Sequence, residues 1–297
     1  MSKIMKNGVE YGGQGTSTAY LAQRAVADQS GNDIAETYAK ITDVDTAISG
    51  AITASNNAGL HNSFFRGKDI TSKFTDGSLY TKIADGTFED IYVGDYFTAT
   101  INGSSVVCRI AGLDIYLNNG DTALTKHHAV IVPDTALMNA PMNSSNTTEG
   151  GYSGSKMRSE TIVTVNGYLT STFGSHLITC RELISTAVST TATSAGNAAW
   201  TGAASNWSWV DSKADLMTEV EVYGSVAFSS SGYDVGTGKK QLPLFAHAPQ
   251  FINPGRFNWW LRSVVNSAYF AHVSNYGHAN YDGASHSRGV RPRWLIG

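Results

Sequence analysis

The chain has 297 residues, a formal net charge of −3 and only 15% charged side chains, a length that allows about two domains with real cores. Its few Lys and Arg form no basic block, which excludes nucleic acid as a partner, because phosphate binding requires clustered cations. No apolar run approaches the roughly eighteen residues that span a bilayer, and Met1 to Gly8 lacks the apolar stretch of a secretory signal, so a soluble chain made in a cytoplasm is expected, with no membrane insertion.

Residues 1 to 15 are polar and glycine-rich (Tyr11-Gly12-Gly13-Gln14-Gly15) and read as an arm. They carry neither the Gly-Lys-Ser/Thr of a phosphate loop nor a full dinucleotide fingerprint. From Thr16 to about Ala58 the Ala/Thr/Asp-rich composition predicts helix. Ile34, Ile41 and Ile48 repeat every seven residues, followed at the second seam position by Thr37, Val44 and Ala51. Isoleucine recurring at heptad spacing marks a coiled-coil seam, and residues 1–60 are expected to form an attachment arm and a short trimeric stalk.

From Phe64 the texture is expected to become β-rich, over 61–150. Phe88 to Ile101 alternates between turns at Asp85-Gly86 and Asn102-Gly103, and Ser105 to Ile110 continues beyond the second turn. Asn-Gly between such runs is a strong hairpin signal. Ala129 to Val132, ahead of Pro133, suits a buried strand. Between Ser155 and Val188, Met157, Ile162, Leu177, Leu183 and Ile184 suggest helical spacing with a break near Asn166-Gly167. Thr190 to Ala204 reads as a loop, and Leu216 to Phe228, with Val220, Val222 and Val226 on one parity, as a strand. Cys108 and Cys180 match no metal or redox spacing and read as small buried hydrophobes.

The C-terminal forty residues carry the most information. Trp259-Trp260-Leu261-Arg262-Ser263 and Gly289-Val290-Arg291-Pro292 bracket a soft segment, 264–288. In it Asn, Tyr, His, Ser and Asp fill fourteen positions, and Gly277 and Gly283 bring the total to sixteen; Lys, Glu, Gln, Met and Trp are absent. Tyrosine supplies rigid contact area, and Ser, Asn and Gly supply adaptable hydrogen bonding, which is a paratope palette. An asparagine codon AAC yields Tyr, His or Asp when its first base changes and Ser, Thr or Ile when its second does, whereas the missing residue types are out of reach. A flexible polar loop is the alternative reading, but such a loop does not need four aromatics between Tyr269 and Tyr281.

On these residues the chain resembles the variable proteins of diversity-generating retroelements, which display a rewritten segment on a C-type lectin fold. It is also similar to phage and bacterial domains ending in a "WWLRS … GVRP" frame. Looser similarity to phage tail proteins lies at Phe88-Glu89-Asp90-Ile91-Tyr92-Val93-Gly94-Asp95-Tyr96 and at Asp28-x-x-Gly31-Asn32-x-Ile34-x-x-Thr37-Tyr38-Ala39. The resemblance implies an α+β protein whose residues 151–297 form a C-type lectin-like domain, two helices on a small twisted antiparallel sheet. It implies a phage receptor-binding protein at a tail-fibre tip, a homotrimer carried on the virion beside other tail proteins. A host-surface protein or glycan would be bound by Tyr269, His272, Ser274, Asn275, Tyr276, His278, Asn280, Tyr281, Asp282, His286 and Ser287.

Trp259, Trp260, Leu261, Val290, Pro292 and Trp294 read as packing beneath that surface, and Arg262 and Arg291 as ties to backbone carbonyls or an Asp. No cofactor or metal is expected. His127 and His128 are adjacent and in a strand would face opposite ways, and Asp282 is the only acid in the segment, too few for calcium. Nor does the chain carry a Gly-x-Ser-x-Gly elbow or a His-Glu-x-x-His, so it is not expected to be an enzyme. A bacterial surface protein, a structural fibre protein and a tailspike-type glycan-degrading enzyme with opposed carboxylates are the alternatives.

Overall fold

The chain opens on a hairpin, β1 (Ile4–Lys6) and β2 (Val9–Tyr11), antiparallel with Ile4 opposite Tyr11 and Lys6 opposite Val9. The computed structural model describes residues 4–6, 9–11, 46–47, 57–189, 204–229 and 240–297. It divides into two units, Met1–Ser55 and Asn56–Gly297. Thr46 and Ala47 are helical; the heptad positions Ile34, Thr37, Ile41, Val44, Ile48 and Ala51 lie outside the described residues.

The second unit starts with three short helices, α1 (Ala58–His61), α2 (Thr71–Thr75) and α3 (Ser78–Ala84), of which α2 and α3 lie where β structure is expected. Their start signals are short polar side chains just upstream. Asn57 accepts from the Leu60 amide at 3.0 Å, Asp69 from Thr71 at 2.8 Å and Asp76 from Ser78 at 2.8 Å, satisfying donors that a helix start leaves unpaired.

The stretch from Phe88 also departs from a strand. Phe88 and Asp90 adopt φ of 51° and 53°, and the buried Asp95 carboxylate accepts from Arg66 Nε at 2.9 Å and from the amides of Lys68 and Tyr92 at 2.9 and 2.8 Å. Gly94, at φ 88°, lies so close to Phe65 that a Cβ there would run into the ring. The motif builds a tight turn with a single bridge from Val93 to Phe65, and the first strand begins at β3 (Tyr96–Ile101). β3 runs through Asn102-Gly103, with φ of 48° and 75°, into β4 (Ser104–Leu113). This is the expected two-residue hairpin, whose positive φ values match strand twist.

β5 (Ala129–Pro133) is buried throughout and is followed by β6 (Met138–Ala140). A π-helical turn at Met157–Thr161 leads into α4 (Ile162–Phe173), which buries Ile162, Val165, Leu169 and Phe173 on one stripe. The helix runs straight through Asn166-Gly167 without the expected break, because Gly167 faces open space and Asn166 is engaged as acceptor for the Ala214 amide at 3.0 Å. Next come β7 (Leu177–Ile178), β8 (Cys180–Val188), β9 (Ala204–Ser212) and β10 (Ala214–Leu216). Leu183 and Ile184 therefore sit on a strand, not a helix. The buried Glu182 occupies a parity where an apolar residue would have revealed the alternation. Of the expected loop at 190–204, residues 190–203 lie outside the described residues.

Glu219 to Tyr223 is a helix, α5, where valine parity predicts a strand. Thr218 and Glu221 form a reciprocal capping box, and Gly224 closes the helix at φ 80°, so cap chemistry outweighs β-branched propensity. α6 (Pro243–His247) precedes β11 (Trp259–Val264), β12 (Tyr269–Val273), β13 (Ala279–Gly283), β14 (Arg288–Val290) and β15 (Pro292–Ile296).

The fold is mixed α+β, mostly strands with few helices. One antiparallel sheet has the order β10-β15-β5-β4-β3, with β7 also on β15; a second has the order β13-β12-β11-β14-β6, in which only β11 and β14 run parallel. β8 and β9 form a separate ribbon. Strands from both sides of residue 150 share each large sheet, so 61–150 and 151–297 are built into one unit. Ile131 and Trp294 join one apolar cluster, which α4 covers, while Val130, Val132 and Leu295 join the other. The first sheet is thus covered on both faces. No helix among the described residues is long and apolar enough to cross a membrane.

Candidate functional site

The segment 264–288 forms the outer ribbon of the second sheet. β11 registers Trp259 against Val273 and Trp260 against His272, and β12 registers Ala271 against Tyr281 and His272 against Asn280. Paired residues share a face, so the ribbon presents different chemistry on its two sides. Tyr269 and Tyr281 lie on one, with ring centroids 5.5 Å apart and Phe228 edge-on to Tyr281 at 5.1 Å. His272, Asn280 and Asp282 lie on the other.

The two strands meet in a tight turn. The Gly277 amide donates to Ser274 O at 2.8 Å and the Ser274 amide to His278 O at 2.9 Å. Gly277 sits at φ 85°, a left-handed position that closes such a turn and that side-chain-bearing residues seldom occupy. The turn thrusts Tyr276 outward to 78% exposure, the highest of the exposed large hydrophobics among the described residues.

Most of the sequence-derived residues reach the surface. Asn275, Tyr276, His278, Asn280, His286 and Ser287 are exposed, and Tyr269, Tyr281 and Asp282 are half-buried. Two do not fit a contact role. His272 is 4% exposed, packed edge-on against Trp260 with ring centroids 6.0 Å apart, and burial lowers its pKa. Ser274 is 7% exposed, and its hydroxyl oxygen accepts from the amides of Tyr276 and His278 at 3.3 and 3.1 Å. They build the ribbon rather than face a ligand.

Asp282 is held from within. His286 Nδ1 lies 2.5 Å from Asp282 Oδ1, and Arg288 Nε donates to Oδ2 at 2.9 Å. Burial alone would raise its pKa, but the hydrogen bonds from His286 and Arg288 outweigh burial and hold it below the usual carboxylate value. Beside this cluster Asn146 Oδ1 accepts from the Ser285 amide and hydroxyl at 3.0 and 2.7 Å.

Residues outside the segment complete the surface. The loop after α6 forms a wall facing the turn, and between them lies a cleft of about 510 Å³ lined by Gln250, Phe251, Asn253, Arg256, Asn275 and Tyr276, among others. The buried Asn253 joins the two walls, its Nδ2 donating to Phe257 O and Ser274 O, both at 2.7 Å. Tyr223 OH reaches Gly277 O at 3.1 Å. Glu219 accepts from the amides of Ala227, Phe228 and Ser229 at 3.0 to 3.2 Å, fixing the loop that carries Phe228. Sequence reading missed this second wall. Its signals were the turn string Asn253-Pro254-Gly255 and Arg256 as the only Lys, Arg, Asp or Glu between Gln241 and Trp260.

The frame beneath is rigid. Trp259, Trp260, Leu261, Val290 and Trp294 are fully buried. Arg291 donates to Pro133 O, Ile252 O and Phe251 O at 2.7, 2.7 and 3.0 Å, which ties the cleft wall to β5. Arg262 meets Glu182 at 2.9 Å, Arg293 meets Glu182 and also Glu221 at 2.8 Å, and Tyr116 donates to Glu221. All five are buried. Burial would raise the pKa of Glu221, yet Arg293 and Arg262 pull it down to about 2. This network holds β8, α5, β11 and β15 together; every acid in it is neutralised in place. Cys108 and Cys180 are buried free thiols whose pKa burial raises. No group of three or more His, Cys, Asp or Glu among the described residues is arranged to hold a metal ion.

A family model described as a domain of unknown function, DUF6273, matches residues 119–296, more than half of the chain. No curated protein and no solved structure matches it.

Proposed function

This chain belongs to the DUF6273 family, and we propose that it is a receptor-binding protein that recognises a host-cell surface ligand through the β12–β13 ribbon and the turn at its tip. The observation that carries the reading is the exposure of Asn275, Tyr276, His278, Asn280, His286 and Ser287, without a Lys or Glu among them, on a ribbon pinned to a buried tryptophan frame. Exposed side chains on a fixed backbone can change with little cost to stability, which is what a diversified surface requires. In this reading the ribbon and its frame are a variable surface of the C-type lectin-like kind. The site binds without turnover, and the protein sits at a phage tail-fibre tip, attached to other tail proteins through its N-terminal residues. Trimerisation through residues 1–60 would add avidity to weak single sites.

The test is adsorption of the labelled full-length chain to a panel of intact bacterial cells, compared with a variant carrying Ala at Tyr276, His278 and His286. Loss of adsorption with an unchanged unfolding midpoint and oligomeric state supports the reading. Equal adsorption by both proteins sinks it.

A further inference from the structure

We infer that the cleft between the turn at 274–277 and the loop at 249–256 takes a carboxylate-bearing sugar of a surface glycan, with Arg256 as its anion fork and Tyr276 as its stacking platform. The inference rests on the receptor-binding reading and names the class of ligand for it.

The cleft, at about 510 Å³, falls within the roughly 300–1,000 Å³ of small-ligand pockets. Its lining contains no Asp, Glu or Lys. Arg256 is its one charged group, exposed, and no ion pair or side-chain hydrogen bond engages its guanidinium among the described residues. Its neighbours Arg288, Arg291, Arg262 and Arg293 in the same C-terminal region are all committed to internal acceptors. A planar fork with an open face matches a carboxylate with two parallel hydrogen bonds. The loop also holds Arg256 in the left-handed region, at φ 50°, which non-glycine residues seldom occupy.

The rest of the lining suits a polyhydroxylated ring. Gln250 and Asn275 carry side-chain amides that both donate and accept, as hydroxyl groups require. The Tyr276 ring offers a flat apolar face at the mouth. An extended peptide would instead need an open strand edge for main-chain pairing, and these walls are a turn and a short 3-10 helix at Pro249–Phe251. Because Asn253 bonds both walls and Arg291 anchors one of them, the cleft is preformed and little ordering is needed on binding.

The experiment titrates the full chain with a panel of uronate- and sialate-bearing oligosaccharides, with neutral maltooligosaccharides and with a glycerol-phosphate polymer. Arg256→Gln, Arg256→Lys and Tyr276→Ala are compared with the parent, and each is checked for an unchanged unfolding midpoint. The expected result is binding to an acidic oligosaccharide and not to the neutral one. Affinity should fall about tenfold or more in R256Q, by less in R256K, and with rising salt. Binding to no carboxylate-bearing sugar, equal binding of neutral sugars, preference for the phosphate polymer or an unaffected R256Q would each overturn the inference. Cell adsorption separates the two claims. If Tyr276→Ala abolishes adsorption while R256Q adsorbs like the parent, the ligand class falls and receptor binding stands; if neither variant changes adsorption, receptor binding through this tip falls as well.

Discussion

Strands β11 and β13 flank the same strand, β12, and are opposites. Every residue of β11 is buried, whereas in β13 only Gly283 is. β11 lies inside its sheet, between β12 and β14; β13 is the edge. Exposure therefore follows position in the sheet rather than position in the segment. Within 264–288 itself, Val264, Phe270 and Val273 are fully buried and His272 nearly so, while Asn280 one strand further out is exposed. An edge strand tolerates polar side chains on both faces because one of its neighbours is water.

The contrast is broken most severely from the frame side. Arg293→Met is expected to cost about 3–5 kcal/mol in urea unfolding, because Glu182 loses one of its two arginines and Glu221 its direct partner while both stay buried. Trp259→Ala should cost a similar amount, about 3–5 kcal/mol, through lost burial and a cavity. A milder result for either would mean that the frame relaxes and is less rigid than its packing implies.

Acid probes the same network. Glu221 is held at about 2 against an ordinary 4.5, a depressed carboxylate pKa. Its contribution, on the order of 3 kcal/mol, is present above pH 4.5 and is lost as pH falls from about 4.5 towards 2. A pH series of unfolding midpoints should show that loss, and Glu221→Gln, though less stable at neutral pH, should show less of it.

A smaller effect of the same kind comes from the ribbon. The folded pKa of His272 lies below its ordinary 6.5, so the unfolded chain takes up a proton first, and stability falls as pH drops below 6.5. His272→Phe should flatten that dependence below pH 6.5, a change read from unfolding midpoints. Smallest of all, Asn280→Ser and Tyr276→Ala should change stability by no more than about 0.5 kcal/mol. A larger loss at either position would show the edge to be part of the frame.

Where local chemistry is decisive, the sequence is legible. Asn102-Gly103 folds as the hairpin its letters specify, Ala129 to Val132 is a buried strand, and the two tryptophans, Arg262 and Arg291 take the packing and tying roles expected of them. It misleads where a signal is present but outweighed: Thr218 and Glu221 cap a helix through valines that favour strands, and Asp69 and Asp76 start helices in a stretch of β texture. Glu182 hides the alternation of β8 because a buried acid imitates a surface position until its arginines, 80 and 111 residues away, are seen.

By itself the sequence determined that a segment rich in Tyr, Asn, Ser and His lies between two tryptophan- and arginine-bearing apolar stretches at the C-terminus, because composition and order are read directly from the letters. Only the tertiary structure decided which soft residues face outward, since strand register assigns each side chain to a face. It also decided that Arg256 and Tyr276 line one cleft, because two stretches separated by the whole of β11 and β12 meet through Asn253, through the Asn275 amide on the Asn258 side chain and through the pairing of the sheet.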